Sequence, residues 1–132
     1  LTLEIAKQVA AAAAAEAATN KWTVVIAVVD EGGHLMYLER TDDTQIASIQ
    51  VAQEKARTAV GFKRPTKAFE DAVAGGRHVI LSLPGALPVE GGIPLMLNGR
   101  VAGAIGVSGV TSQQDGQVAR AGADALAKIV AK

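Results

Sequence analysis

The 132-residue chain predicts an α+β fold, an antiparallel sheet with helices packed on it. Three features carry this expectation: an Ala-rich opening segment without Pro or Gly, two separated hairpin signals, and no recurring strand-helix-strand unit. A doubly wound parallel sheet would need that recurring unit, whereas hairpins pair antiparallel and leave their apolar faces for helices to cover.

Thr2 is a cap for a first helix over Leu3–Ala18, with Glu4 in its first turn and Ala, the best helix former, throughout. The Ala10–Ala15 run offers a surface that another element can approach closely. Trp22–Val29 is a β-branched run, Asp30-Glu31-Gly32-Gly33 is turn chemistry, and His34–Arg40 alternates apolar and polar residues, which together predict a hairpin. A second helix follows over Thr44–Val60, with Ile46, Ile49, Ala52, Ala56 and Ala59 at helical spacing and Gly61 as its stop.

Pro65-Thr66 opens a short third helix, Lys67–Val73, ending at Gly75-Gly76. Residues 77–92, punctuated by Pro84, Gly85, Pro88, Gly91 and Gly92, predict an irregular loop of the kind that often binds ligands. Ile93–Leu97, the Asn98-Gly99 pair and Arg100–Val107 form a second hairpin. The last helix begins near Ser112, with Asp115 three residues on as a capping-box-like pair, and runs to Val130.

The length suits one domain, 1–132, and 49% hydrophobic against 20% charged residues is a globular composition. Lys plus Arg equals Asp plus Glu at 13 each, which argues against nucleic acid or an acidic membrane surface as partner. Cysteine is absent, so disulfides, thiolate metal sites and a Cys nucleophile are excluded. With neither a signal-like segment nor an apolar run of roughly 18 residues, the expected location is the cytoplasm. The chain opens at Leu1 rather than Met, so a segment upstream is left open.

Chemistry has several candidate seats. Glycines from Gly103 to Gly109, with Ser108 among them, run into the last helix, whose amino terminus favours anions; the same glycines also suit close strand packing. In Glu90-Gly91-Gly92 the paired glycines can form an anion-binding nest or a plain turn, and Glu90 can act as acid or base. Asp115 is a second carboxylate for that role. Arg40 and Lys55 are cations suited to a ligand carboxylate, or ordinary surface charges. His34 and His78 follow glycine pairs closely. No spacing of a dedicated metal site occurs, so no metal is expected, but either histidine suffices as a single axial haem ligand. Ser108 lacks the nucleophile elbow of a hydrolase and no histidine follows it.

Four stretches, Val28–Leu35, Lys55–Ala59, Gly91–Leu95, and Gly103–Gly109 followed by Gln114-Asp115, together resemble the signature of the GlcG/HbpS family, the haem-degrading or PduO C-terminal-like domains (DUF336), in order over nearly the whole chain. The resemblance implies a profilin-like or roadblock-like domain with a central sheet of about five strands, assembling as a homo-oligomer from dimer to octamer. It implies haem or a corrinoid as ligand, and a cleft at Glu90–Gly92 and Gly106–Gly109, without one shared haem ligand. The leading expectation is therefore a binding module for haem or another carboxylate-bearing small molecule. An enzyme acting on a small carboxylated intermediate through Glu90 or Asp115 is the alternative, and a structural interaction protein a third.

Overall fold

The computed structural model describes residues 1–131. Helix α1 spans Leu3–Thr19, and the Thr2 hydroxyl accepts the Ile5 N–H at 3.2 Å as its cap. Strands β1 (Val25–Asp30) and β2 (Leu35–Arg40) form the first hairpin. Helices α2 (Ala47–Phe62) and α3 (Lys67–Ala74) follow, then a 3-10 turn over His78–Ser82. Strands β3 (Gly92–Leu97) and β4 (Arg100–Ser108) make the second hairpin, and α4 covers Ser112–Val130. At the β3–β4 turn Asn98 and Gly99 both take positive φ, 52° and 76°, the geometry that an Asn-Gly turn supplies at least cost.

The hairpins meet through β1 and β4, giving an antiparallel sheet in the order β2-β1-β4-β3. It has four strands rather than about five, because residues 77–90 form a 3-10 turn and a Gly/Pro-rich loop outside the sheet. Being central, β1 is covered on both faces, which explains its nearly unbroken apolar run. Ile26 and Val28, with Ile105 and Val107 of β4, face α1 and α4, while Val25, Ala27, Val29 and Ala104 face Ala52, Ala56 and Ala59 of α2.

Close approach is found where small residues sit. On one side, a Cβ at Gly106 would run into the Ala52 carbonyl and stand 2.7 Å from the Ala56 nitrogen, so α2 lies directly on the β4 backbone. On the other, a Cβ at Gly122 of α4 would stand 3.0 Å from the Val9 carbonyl and 3.3 Å from Ala13 Cβ, which is where the Ala-rich face of α1 is used.

Several boundaries differ from the expectation. Helix α2 starts three residues later than Thr44, whose hydroxyl bonds the Thr41 and Val24 carbonyls instead. It also runs through Gly61 and ends with Lys63 in the left-handed region. Strand β1 starts at Val25, with Trp22 packed against the core before it. The α4 capping box is Thr111 with Gln114, not Ser112 with Asp115, and Asp115 is thereby left for another task.

Candidate functional site

A half-open cleft of about 540 Å³ lies between α3, the loop leading into β3, and α4. Thr66, fully buried at the start of α3, clamps the cleft floor: its hydroxyl accepts the Gly92 N–H at 2.9 Å and its own N–H donates to the Gly92 carbonyl at 3.0 Å. The Glu90 N–H donates to Glu70 at 3.0 Å. Helix α4 contributes Gln113, Gly116, Gln117 and Arg120, spaced so that all share one face. Lys67 and Asp71 of α3 close the other side and pair at 2.7 Å, an exposed contact of little energetic weight.

Of the residues singled out from the sequence, Glu90, Gly91 and Gly92 line this cleft. The Glu90 carboxylate rests over Gly116, where any Cβ would collide with it. Burial pushes the Glu90 carboxyl above its ordinary 4.5, Lys67 opposes that, and Glu70 and Asp71 add to it. A carboxyl that holds its proton more tightly when folded favours the native state most below pH 4.5, and that contribution is lost as pH climbs through the raised value.

Both expected backbone anion seats are filled from within. Around Gly91-Gly92 the Glu90 and Gly92 N–H groups are spoken for, and the glycines exist for contact: a Cβ at Gly91 would lie 2.8 Å from Lys55 Nζ, and one at Gly92 would hit the Lys55 carbonyl. At the start of α4, the anion is the protein's own. Asp115 accepts the Val110 N–H at 3.0 Å through one oxygen and Lys55 Nζ at 3.0 Å through the other, while Lys55 also donates to the Val107 carbonyl at 2.9 Å. This pair is buried, at 2% and 3% side-chain exposure. Burial pushes Asp115 up and Lys55 opposes it. Neither residue lines the cleft: Lys55 is a supporting cation beneath Gly91, and of the two candidate carboxylates only Glu90 faces the cleft.

The other candidates lie apart. Ser108 is buried and its hydroxyl bonds Ser48 at 3.0 Å, and Gly109 turns the chain against Thr23 and Val24. Arg40 is exposed at the end of β2, across β1 and β4 from β3. His34 sits on the β1–β2 turn at the far end of the strands, 83% exposed and 3.3 Å from Asp30. His78 is exposed at the start of the 3-10 turn. The cleft cations are thus Lys67 and Arg120, which the sequence reading passed over; the polar face of α4 interrupted by Gly116 was the signal for the second.

Gly116 separates cleft geometry from stability. Gly116→Ala is expected to leave the melting temperature within a few degrees, since the gain of up to about 1 kcal/mol from Ala in a helix is set against displacing the Glu90 side chain, whose Cγ and Cδ would lie 2.8 and 2.9 Å from the new Cβ. Its ligand affinity is expected to change, measured alongside by calorimetry.

Among the described residues no helix is long and apolar enough to cross a membrane, and no cluster of three metal-ligating side chains occurs. The family described as "Haem degrading protein HbpS-like" matches residues 1–124. Protein GlcG of Escherichia coli K12 is 45% identical over 108 residues, 82% of this chain and 81% of that protein. The crystal structure of Klebsiella pneumoniae ORFY, a DUF336 protein, superposes with a TM-score of 0.89 at 32% identity over 96% of this chain and 90% of that one. A complex of PduOC with haem superposes at 0.84 with 28% identity over 95% and 94%.

Proposed function

The chain belongs to the GlcG/HbpS family, and on that footing we propose that it is a binding domain for carboxylate-bearing ligands, haem among them, working as a homo-oligomer. The observation that carries this reading is the joint lining of one cleft by Arg120, a guanidinium with no ion-pair partner among the described residues, and by Glu90, a carboxyl inclined to keep its proton. Arg120 presents a fork of donors that a carboxylate matches in bidentate fashion. Glu90, when protonated, donates a further hydrogen bond; when ionised, it repels the same ligand. Ile46, Ile49 and Leu87, apolar residues gathered around the start of α2, supply surface for association.

Haem is the group that the family description and the PduOC complex bring to this chain. The cleft meets only part of its needs. Lys67 and Arg120 suit its carboxylates, but neither an aromatic ring nor a histidine lines the walls, where Pro65, Ala68 and Ile93 are the apolar residues. The cleft therefore fits a small carboxylate better than a macrocycle.

Calorimetric titration with succinate and with lactate tests this. Saturable binding is expected, weakened at least about tenfold by Arg120→Gln. Affinity is expected to rise as pH falls through the raised Glu90 value, because the like charge disappears, and Glu90→Gln is expected to flatten that dependence. Binding indifferent to Arg120→Gln, or no saturable binding of either acid, overturns the assignment. The position of Glu90 favours one further reading, an enzyme that uses it as general acid toward a small carboxylated substrate. Turnover of a bound acid, lost in Glu90→Gln while binding persists, distinguishes the two.

A further inference from the structure

Helix α3 holds the wall of the cleft from behind through two acceptors one turn apart. The Thr66 hydroxyl takes the Gly92 N–H at 2.9 Å, and the Glu70 carboxylate takes the Glu90 N–H at 3.0 Å. Residues at i and i+4 share a helix face, so the two acceptors grip alternate residues of the chain entering β3. Glu70 itself does not line the cleft. We propose that Glu70 is a positioning residue of the ligand cleft: one oxygen fixes the Glu90 backbone, and its negative charge makes ligand capture respond to pH. The inference rests on the cleft as the binding site and adds what governs it.

Glu70 is half-buried and has no ion-pair partner among the described residues. It lies in the first turn of α3, where the helix dipole favours a negative charge. The other charges around Glu90 come largely as neutralised pairs. On α3, Lys67 and Asp71 meet at 2.7 Å; on α2, Lys55 lies beneath Gly91 but is matched by Asp115 at 3.0 Å. Arg120 on α4 is the remaining cation, and it lines the cleft where a ligand carboxylate would sit. Among the described residues, Glu70 is thus the unmatched carboxylate bonded to Glu90.

Burial is the largest influence on the Glu90 proton and holds it on; Lys67 opposes this, Glu70 and then Asp71 reinforce it, and Lys55 opposes it last. A like charge nearby disfavours a second ionisation. Removing the Glu70 charge therefore lets Glu90 ionise at lower pH, and removing the Lys67 charge does the reverse. An ionised Glu90 repels a carboxylate bound at Arg120, so the loss of ligand affinity moves along the pH scale with it.

Carboxyl carbon NMR of the ligand-free protein tests this in Glu70→Gln, Glu70→Ala and Lys67→Gln. The Gln amide oxygen still accepts the Glu90 N–H, so Glu70→Gln removes the charge and keeps the clamp, whereas Glu70→Ala removes both. Glu90 is expected to titrate at lower pH in Glu70→Gln and at higher pH in Lys67→Gln. The Glu90 amide hydrogen is expected to exchange at least about fivefold faster in Glu70→Ala, and within about twofold of the parent in Glu70→Gln. Succinate affinity is expected to begin its fall at a lower pH in Glu70→Gln than in the parent. A merely structural Glu70 would move the exchange but not the titration. A Glu90 titration that Glu70→Gln leaves in place or moves upward overturns the proposal, as does Glu90 amide exchange that Glu70→Ala leaves unchanged. Both readouts need no ligand. If Glu90 shifts as expected but succinate does not bind, the cleft reading falls, and the ligand half of this proposal with it. If succinate binds through Arg120 while Glu90 does not shift, the cleft reading stands and this proposal falls.

Discussion

Lys55→Met is expected to destabilise the fold by roughly 3–5 kcal/mol, because it strands the Asp115 carboxylate in a site where both members of the pair are almost fully buried. For a chain of this length that corresponds to a fall in melting temperature of very roughly 10–20 °C. The ammonium also holds the end of β4 through the Val107 carbonyl, so the same change loosens the strand that leads into α4. Asp115→Leu is expected to cost a similar amount, since it leaves a buried ammonium and an unpaired Val110 N–H. The pair variant Lys55→Met/Asp115→Leu is expected to recover much of the loss, because no uncompensated charge then remains. Thermal unfolding of the four proteins checks this cycle. If Lys55→Met unfolds within a degree or two of the parent, the ammonium is not the structural cation that its contacts describe.

Gly106→Ala is expected to cost about 3 kcal/mol or more, the upper range of overpacking, because its Cβ would enter the Ala52 carbonyl and crowd the Ala56 nitrogen. These are backbone atoms of α2, so relief requires the helix to lift off β1 and β4 rather than a side chain to turn. A lifted α2 also moves Lys55, and with it the support beneath Gly91. The matched control is Gly61→Ala in the same helix, where a Cβ meets nothing within 4 Å; it is expected to raise stability by roughly 0.5–1 kcal/mol through helix propensity. Chemical denaturation of both variants measures the contrast, and equal effects from the two would contradict the packing described for Gly106.

The glycines show how function and packing are confused in a sequence. Gly91, Gly92, Gly106 and Gly109 carry the signature of backbone that approaches something closely, and both a ligand and a neighbouring strand or helix satisfy that signature. Here the neighbours are Lys55, Ala52, Ala56, Thr23 and Val24, all from the chain itself. Asp115 shows the same ambiguity among carboxylates. Three residues after Ser112 it has the spacing of a capping partner, but Gln114 takes that place and Asp115 turns inward to Lys55, sixty residues away in the chain.

What the sequence by itself determined is whatever depends on neighbours along the chain. The Ala-rich first helix, the Asn98-Gly99 turn, the two hairpins, the start of α4 and the family to which the chain belongs were all readable, because helix propensity, turn angles and motif order are local properties. Glu90 was readable as a cleft residue for the same reason. Tertiary structure alone decided the rest: that the sheet closes at four strands, that Lys55 and Asp115 neutralise each other out of water, that Arg120 and Lys67 rather than Arg40 reach Glu90's cleft, and that Glu70 holds the Glu90 backbone from behind it. A charge becomes a structural or a binding group according to what the folded chain brings within hydrogen-bond reach of it, and that depends on contacts between residues far apart in sequence.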